Sequence, residues 1–376
     1  MLKSAQRIIL LFIAVTLLTK PFVPYDLTLA ISFLALALFS AIFFTLKSKD
    51  KILPAVIFTA GLLVQWVTNQ PFSVCLQGAG TMLDIVSILM VMQLFSIPIQ
   101  MGTYTRDLEY LLLKHIKKER GLFFFTPIIT HFFSTFLLFG TIPVMLSLLG
   151  QALRNNVKQY ERFAATAMSR GYALMISWSP SAVMFLLITN LTNLEWSQVF
   201  LPGLLLSIIG IATSVFLEGQ LVLSKQNIIF ARDQKCKINE KEAWYSVLEI
   251  ILVITSMIVI IYSLEKSRLF PSTYCVMLAG LIIFIAWMLK FIKSPELKNA
   301  LKTYWKEGVL RAVDLAILFI AIGVLTKAVE NANIVNHLYD CFGIAGLGYA
   351  LITIIPLAVI LIAIIGIMVI SAYPNP

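Results

Sequence analysis

The stretch that decides the architecture runs from Gly121 to Tyr160 and reads GLFFFTPIIT HFFSTFLLFG TIPVMLSLLG QALRNNVKQY. It is apolar for longer than the roughly 20 residues that cross a bilayer as one helix. Near its centre the sequence GTIP, residues 140–143, is expected to break a helix because proline lacks the backbone N–H donor. The stretch is therefore either one crossing or two arms that enter and leave the membrane on the same side.

The rest of the chain has the composition of a membrane protein. Of its 376 residues, 59% are hydrophobic and 13% are charged, whereas a soluble domain is roughly 45–50% apolar. Further apolar segments cover residues 7–20, 27–46, 52–69, 80–100, 163–190, 198–222, 244–262, 272–292 and 308–328. The sequence predicts an all-α polytopic membrane protein with about nine transmembrane helices.

The charge of the loops predicts how these segments are oriented. Lys and Arg concentrate in cytoplasmic loops, and the basic residues here cluster in alternate loops, at 47–51, 106–120, 225–241 and 290–306. The two loops at 70–79 and 191–197 carry none. This pattern predicts a protein of the cell inner membrane with a cytoplasmic N-terminus.

The alternation is kept only if residues 121–160 return to the cytoplasm as a re-entrant hairpin. A full crossing would place the strongly basic segment 223–243 outside the cell, against the positive-inside rule. The hairpin arms are predicted at 122–139 and 144–160. Irregular backbone at the tip would then have to face protein or water.

Several classes of function are disfavoured. The net charge of +10 is explained by the loops, so nucleic acid is not expected as a partner. The four cysteines and three histidines are dispersed, which predicts no metal site and no cofactor. No phosphate-binding, HExxH or GxSxG motif is present, so no catalytic residue is predicted.

An internal repeat is indicated by two pairs of residues. Gly78 and Asp84 have the same spacing as Gly308 and Asp314, 230 residues further on. Five predicted crossings lie between the two pairs, so the repeats would be oppositely oriented, as in many secondary transporters. The predicted organisation is an extra N-terminal span (1–26), a first repeat (27–222), a cytoplasmic loop (223–243) and a second repeat (244–376).

The order of span, interfacial arm, hairpin and broken span resembles the ion transporter superfamily over roughly residues 27–376. The residues that carry the likeness are GTIP at 140–143, SWSPS at 177–181 and GIMV at 366–369. The resemblance implies an elevator-type secondary carrier, such as the divalent-anion symporters. The Ser-Asn-Thr tip of those symporters is absent, so their dicarboxylate chemistry is not carried over. The second repeat stops after its tip, which predicts that it is incomplete.

The substrate-binding residues are predicted at the first tip and in the following span. Thr141 and Pro143 would present a hydroxyl and free carbonyls at the tip, unless the break is a plain kink in one crossing. The following span would be unwound at Ser177, Ser179 and Ser181, and these serines would face a substrate. Arg170 would attract an anion, although a guanidinium that snorkels to the headgroups is the simpler alternative.

Asp84 and Asp314 are predicted to couple transport to sodium or protons, because both are expected in the first turns of matched spans. The helix dipole alone would also stabilise an acid there, by roughly 0.3–1 kcal/mol. The sequence thus favours a secondary active transporter of a small organic or inorganic anion. Its expected partners are the lipid bilayer, the solute and a second copy in a homodimer.

Two other classes of protein remain as alternatives. One is a membrane-embedded enzyme that acts on lipid-linked sugars, although such enzymes usually have a large external loop with polar catalytic residues. The other is a non-transporting membrane subunit or a truncated fragment.

Overall fold

The computed structural model describes residues 2–116, 118–157, 159–221 and 239–333. These residues form sixteen α-helices joined by short turns, and they contain no β-strand. The helices are Leu2–Thr19 (α1), Thr28–Thr45 (α2), Ser48–Val67 (α3), Phe72–Thr81 (α4), Leu83–Gln93 (α5), Ser96–Met101 (α6), Tyr104–His115 (α7), Glu119–Leu137 (α8), Thr141–Asn156 (α9), Tyr160–Met175 (α10), Val183–Thr192 (α11), Trp196–Leu221 (α12), Glu240–Lys266 (α13), Ser272–Met288 (α14), Leu297–Thr303 (α15) and Val309–Asn331 (α16).

Eight helical segments of this part of the chain are long and apolar enough to cross a membrane. They are Leu2–Phe22, Thr28–Thr45, Ser48–Val67, Phe72–Met101, Trp196–Gln220, Glu240–Lys266, Ser272–Phe291 and Leu297–Asn331. The predicted all-α, multi-pass membrane fold is confirmed. The remaining predicted span, residues 163–190, is divided between α10 and α11, and neither half is long enough to cross alone.

Two predicted span starts were too late. The span expected to open near Gly78 begins at Phe72, and the span expected to open near Gly308 begins at Leu297. In the second case a turn of π-helix, Tyr304–Gly308, joins α15 to α16, so the glycine lies inside a continuous helical run. Polarity at a helix end is a weak marker of the boundary, because helical hydrogen bonds continue through small and charged residues alike.

One group of helices packs around α16, which contacts α3, α4 and α5. Glycines permit the closest approach: a Cβ built on Gly323 would lie 2.3 Å from the carbonyl oxygen of Gly78. A Cβ on Gly61 would lie 3.0 Å from the backbone of Leu325. Helices in lipid gain stability from such close backbone packing, because association there brings no hydrophobic gain.

A second group contains α8, α9, α10 and α12. Helices α8 and α10 pack side by side in the same direction. The Phe123 ring lies 5.2 Å from the Phe163 ring near their starts, and Thr135 near the end of α8 bonds to Ser181 just beyond α10. Because α9 lies between two parallel helices in the sequence, it leads the chain back toward the end at which α8 begins.

Polar contacts join helix ends in two sets. At one end, Arg7 donates to the carbonyl of Trp305 at 3.0 Å, and Lys114 pairs with Glu240. At the opposite end, the buried carboxylate of Glu265 accepts the backbone N–H groups of Trp196 and Ser197 at 3.1 and 2.9 Å. A carboxylate at this position satisfies two orphan donors of α12 and favours its N-terminal dipole.

Candidate functional site

The first break in the helices separates α8 from α9. Helix α8 ends at Leu137, and Leu138 has a φ of 47°, which is unfavourable for a residue with a branched side chain. After a turn of 3-10 helix, α9 begins at Thr141, whose N–H donates to the carbonyl of Leu138. The predicted tip residues therefore lie at the start of a helix rather than in a loop.

Thr141 is fully buried, and within the part of the chain that the structure describes its hydroxyl has no hydrogen-bond partner. Buried polar groups are nearly always paired, and an unpaired one costs about 1–3 kcal/mol. The other predicted tip residue, Pro143, is exposed at the third position of α9, where a helix needs no N–H donor and proline is tolerated. Of the two, Thr141 has the surroundings expected of a ligand-binding group.

The second break lies between α10 and α11, where residues 176–182 are not helical. Ser179 and Ser181 are fully buried there, with their hydroxyl oxygens 2.9 Å apart. The Ser181 hydroxyl donates to the carbonyl of Thr135, 2.6 Å away in the last turn of α8. This bond satisfies a carbonyl that has no partner within its own helix, and it brings the two breaks together.

Ser177 faces a different neighbour. Its hydroxyl lies 2.7 Å from that of Ser207 and 3.0 Å from the carbonyl oxygen of Gly203, both on α12. A Cβ built on Gly203 would lie only 2.0 Å from the carbonyl oxygen of Ser177. The three serines predicted to face one substrate are thus divided: two line the junction with α8, and Ser177 anchors the unwound segment to α12.

A network of aromatic side chains backs the junction. The Trp178 indole N–H donates to Nε2 of His131 at 2.8 Å, and Nδ1 of His131 lies 3.2 Å from the carbonyl oxygen of Gly171. Because the indole N–H donates to Nε2, this nitrogen must be the acceptor. The imidazole is therefore neutral, with its proton on Nδ1. The Trp196 indole N–H donates to the carbonyl of Trp178 at 2.9 Å. These bonds hold the unwound segment in one conformation.

Arg170 lies in α10 before the break, and its guanidinium is engaged. It lies 3.1 Å from Oε2 of Glu218 and 3.0 Å from the Ser214 hydroxyl. Arg162 pairs with the other oxygen of the same carboxylate at 2.7 Å. Glu218 is buried, and a buried carboxylate needs a positively charged partner. Arg170 is therefore held on α12 by Glu218 and Ser214, and none of the bonds described for it reaches the serine cluster.

The two predicted coupling acids differ in their surroundings. Asp84 lies half-buried in the first turn of α5, and its Oδ2 accepts a hydrogen bond from the Asn190 amide of α11 at 3.1 Å. Asp314 is exposed and is the sixth residue of α16, so its predicted place in a first turn is wrong. The continuous helical run that contains α16 starts at Leu297, so Asp314 lies well inside this run and not near its N-terminal end.

Some residues of the candidate site could not be singled out in the sequence. Glu218 is an isolated acid in an apolar span, and Gly203 and Ser207 lie four residues apart on α12. A pair of small residues at this spacing is typical of a close-packed helix face. This spacing is the feature of the sequence that could have indicated the contact with α12. The predicted second tip at 366–369 lies outside the described residues.

Within residues 2–116, 118–157, 159–221 and 239–333, no group of three or more His, Cys, Asp or Glu could hold a metal ion. No protein-family model matches the sequence, and neither the curated proteins nor the solved structures contain a match. The interpretation of the site therefore rests on its geometry.

Proposed function

We propose that the chain is a secondary active transporter whose substrate binds where the α8–α9 break meets the α10–α11 break. The observation that carries the proposal is the buried hydroxyl of Thr141, which has no hydrogen-bond partner among the described residues. In this proposal α8 and α9 form a re-entrant hairpin. Two helix breaks that meet within a membrane are typical of transport sites, since they expose backbone groups to a solute.

The packing of α8 supports a re-entrant hairpin. Because α8 and α10 run parallel, the intervening α9 must reverse the chain. Helix α9 has 16 residues and is about 24 Å long at 1.5 Å per residue, which is shorter than the roughly 30 Å of the bilayer core. The bond from Ser181 to Thr135 lies between α10 and α11, away from either end of that span.

A small anion remains the proposed substrate, but the groups that would bind it differ from those expected from the sequence. Arg170 is held on α12 by Glu218 and Ser214, so the groups that contact the anion at the breaks have to be others. Helix α9 starts at Thr141 and α11 starts at Val183, one at each break. A helix N-terminus carries about half a positive charge and binds anions. At α9 the Thr141 N–H is already bonded to Leu138 and Pro143 has no N–H, so the helix dipole is the main contribution there. The serine and threonine hydroxyls would supply further donors.

Asp84 is the proposed coupling residue. It connects α5, which packs on α14 and α16, to Asn190 near the end of α11. Among the ion pairs of the described residues, none includes Asp84. An ionised acid inside a membrane-spanning segment is costly when it has no cationic partner. A sodium ion or a proton would neutralise its charge. The close packing of Gly78 on Gly323 joins the two spans that correspond to each other in the proposed inverted repeats.

Transport can be tested in proteoliposomes that contain the purified chain and are supplied with a mixture of small organic and inorganic anions. We expect an imposed sodium or proton gradient to drive accumulation of at least one anion, and an ionophore to abolish it. Asp84→Asn should remove the dependence on the gradient, while Asp314→Asn, at an exposed position, should retain it. Absence of gradient-driven accumulation by the wild-type chain would contradict the proposed function.

The hairpin can be tested by labelling single cysteines in a background that lacks the native four. Arg154→Cys is exposed near the end of α9, and Glu195→Cys is exposed just before α12. With a membrane-impermeant thiol reagent, we expect Glu195→Cys to react in intact cells and Arg154→Cys to react only after permeabilisation. The reverse pattern would mean that residues 119–156 cross the membrane once, and the hairpin would be rejected.

A further inference from the structure

A polar cavity of about 290 Å³ lies between α7, α13 and the end of α14, and its lining contains no residue of the two helix breaks. The lining includes Thr103 just before α7, Arg106 on α7, Glu242, Tyr245 and Glu249 on α13, and Lys290 after α14. These elements belong to the end of the molecule that the loop charges place in the cytoplasm. The proposed transport site uses none of these residues.

Most of the charged groups around the cavity are already paired. Lys290 pairs with Glu249 at 2.7 Å. The carboxylate of Asp107, which is 3% exposed, accepts the hydroxyls of Thr103 and Ser246 at 2.5 and 2.6 Å. These bonds fix α7 and α14 against α13. The cavity walls are therefore held in place by polar groups that are already paired.

Glu242 forms no ion pair among the described residues, and Arg106 forms only a long one. The guanidinium of Arg106 lies 3.7 Å from the adjacent Asp107, and its side chain is 55% exposed. Glu242 is exposed and accepts a bond only from the Asn239 amide among the bonds described for it, at 3.2 Å. No ion pair among the described residues joins Arg106 to Glu242. Opposite charges therefore face one cavity without neutralising each other.

The surface beside the cavity is typical of the boundary between lipid and water. Trp244 and Tyr245 are 49% and 68% exposed, and Leu248, one turn further along α13, is 56% exposed. Tryptophan and tyrosine favour the headgroup region, and exposed leucine favours the acyl chains. A lipid whose chains lie along α13 would thus have its headgroup at the level of Arg106 and Glu242.

We propose that this cavity binds the headgroup of phosphatidylethanolamine, with the phosphate on Arg106 and the ammonium on Glu242. The lining carries two basic and three acidic side chains, so a purely anionic headgroup would meet a net negative site. The ethanolamine ammonium has three N–H donors for a carboxylate, whereas a choline group has none. The bound headgroup would link the interfacial helix α7 to the transmembrane helix α13.

The test compares the thermal unfolding midpoint of the chain in nanodiscs of phosphatidylcholine alone with that in discs containing increasing phosphatidylethanolamine. A ligand that binds only the folded state raises the midpoint, so we expect a rise with the ethanolamine lipid. The double variant Arg106→Gln/Glu242→Gln should lose that rise. The control Glu296→Gln/Lys298→Gln, two exposed residues on the same side, should keep it.

Three results would overturn the proposal. They are an equal rise with phosphatidylglycerol, an equal rise when soluble glycerophosphoethanolamine is added to phosphatidylcholine discs, and an unchanged rise in the double variant. Native mass spectrometry of the wild-type chain gives a readout that does not depend on a variant folding. Preferential retention of the ethanolamine lipid supports the proposal, and equal retention of choline or glycerol lipids rejects it.

Discussion

Replacing Gly203 by alanine is expected to destabilise the fold and abolish transport. The new Cβ would lie 2.0 Å from the carbonyl oxygen and 2.8 Å from the carbonyl carbon of Ser177. Both are backbone atoms in the segment between α10 and α11, which the Trp178 and Ser181 bonds hold in place. Overpacking a close contact costs roughly 1–3 kcal/mol and occasionally more, and here neither backbone can yield by rotating a side chain.

The same helix offers the control. Gly219 also lies in α12, but a Cβ built there meets no atom within 4 Å. Gly219→Ala should leave transport unchanged and raise stability by up to about 1 kcal/mol, because alanine is the better helix former. Thermal unfolding in detergent and uptake in proteoliposomes measure the two effects. If Gly203→Ala matches Gly219→Ala in both assays, the close contact with the unwound segment has no role.

The helical spans could be predicted because lipid imposes a simple requirement on the sequence. Each backbone polar group must be bonded internally, so a long apolar run such as 27–46 becomes one helix, here Thr28–Thr45. The break at 176–182 was indicated as well, since Ser177-Trp178-Ser179-Pro180-Ser181 is polar and contains proline within an apolar span. These features depend on neighbours in the sequence and need no knowledge of the tertiary contacts.

The side chains of the site could not be paired in the same way. Arg170 was interpreted as a free cation because its partner Glu218 is 48 residues away and resembles an isolated acid. Ser177, Ser179 and Ser181 are close together in the sequence, yet without helical geometry their directions could not be known, and Ser177 faces α12. Such pairings depend on which helices are neighbours, and in a membrane small residues at the interface decide that.

Asp84 and Asp314 are a second case in which the surroundings of a side chain could not be predicted from the sequence. Their equal spacing from a glycine suggested equal roles, but Asp84 bonds to Asn190 whereas Asp314 is exposed. A spacing within one helix determines the face on which a residue lies. What covers that face is set by the packing of other helices.

Replacing Thr141 by valine is expected to separate stability from function. Valine has nearly the shape of threonine, and it removes a buried hydroxyl for which the described residues supply no partner. Since such a group costs about 1–3 kcal/mol, Thr141→Val should raise the unfolding temperature. If the hydroxyl binds the substrate, the same change should strongly reduce transport, because the substrate would then meet a methyl group in place of a donor.

Two further variants make this test specific. Thr141→Ser keeps the hydroxyl and loses one methyl group, worth roughly 0.8 kcal/mol of burial, so it should be less stable yet still transport. Thr126 is equally buried, but its hydroxyl donates to the carbonyl of Leu122 at 2.7 Å, so Thr126→Val should bring no gain in stability and no loss of transport. A more stable Thr141→Val that transports at the wild-type rate would show that the hydroxyl is a packing defect and that the substrate binds elsewhere. A more stable variant that no longer transports would identify Thr141 as a group whose partner is the substrate.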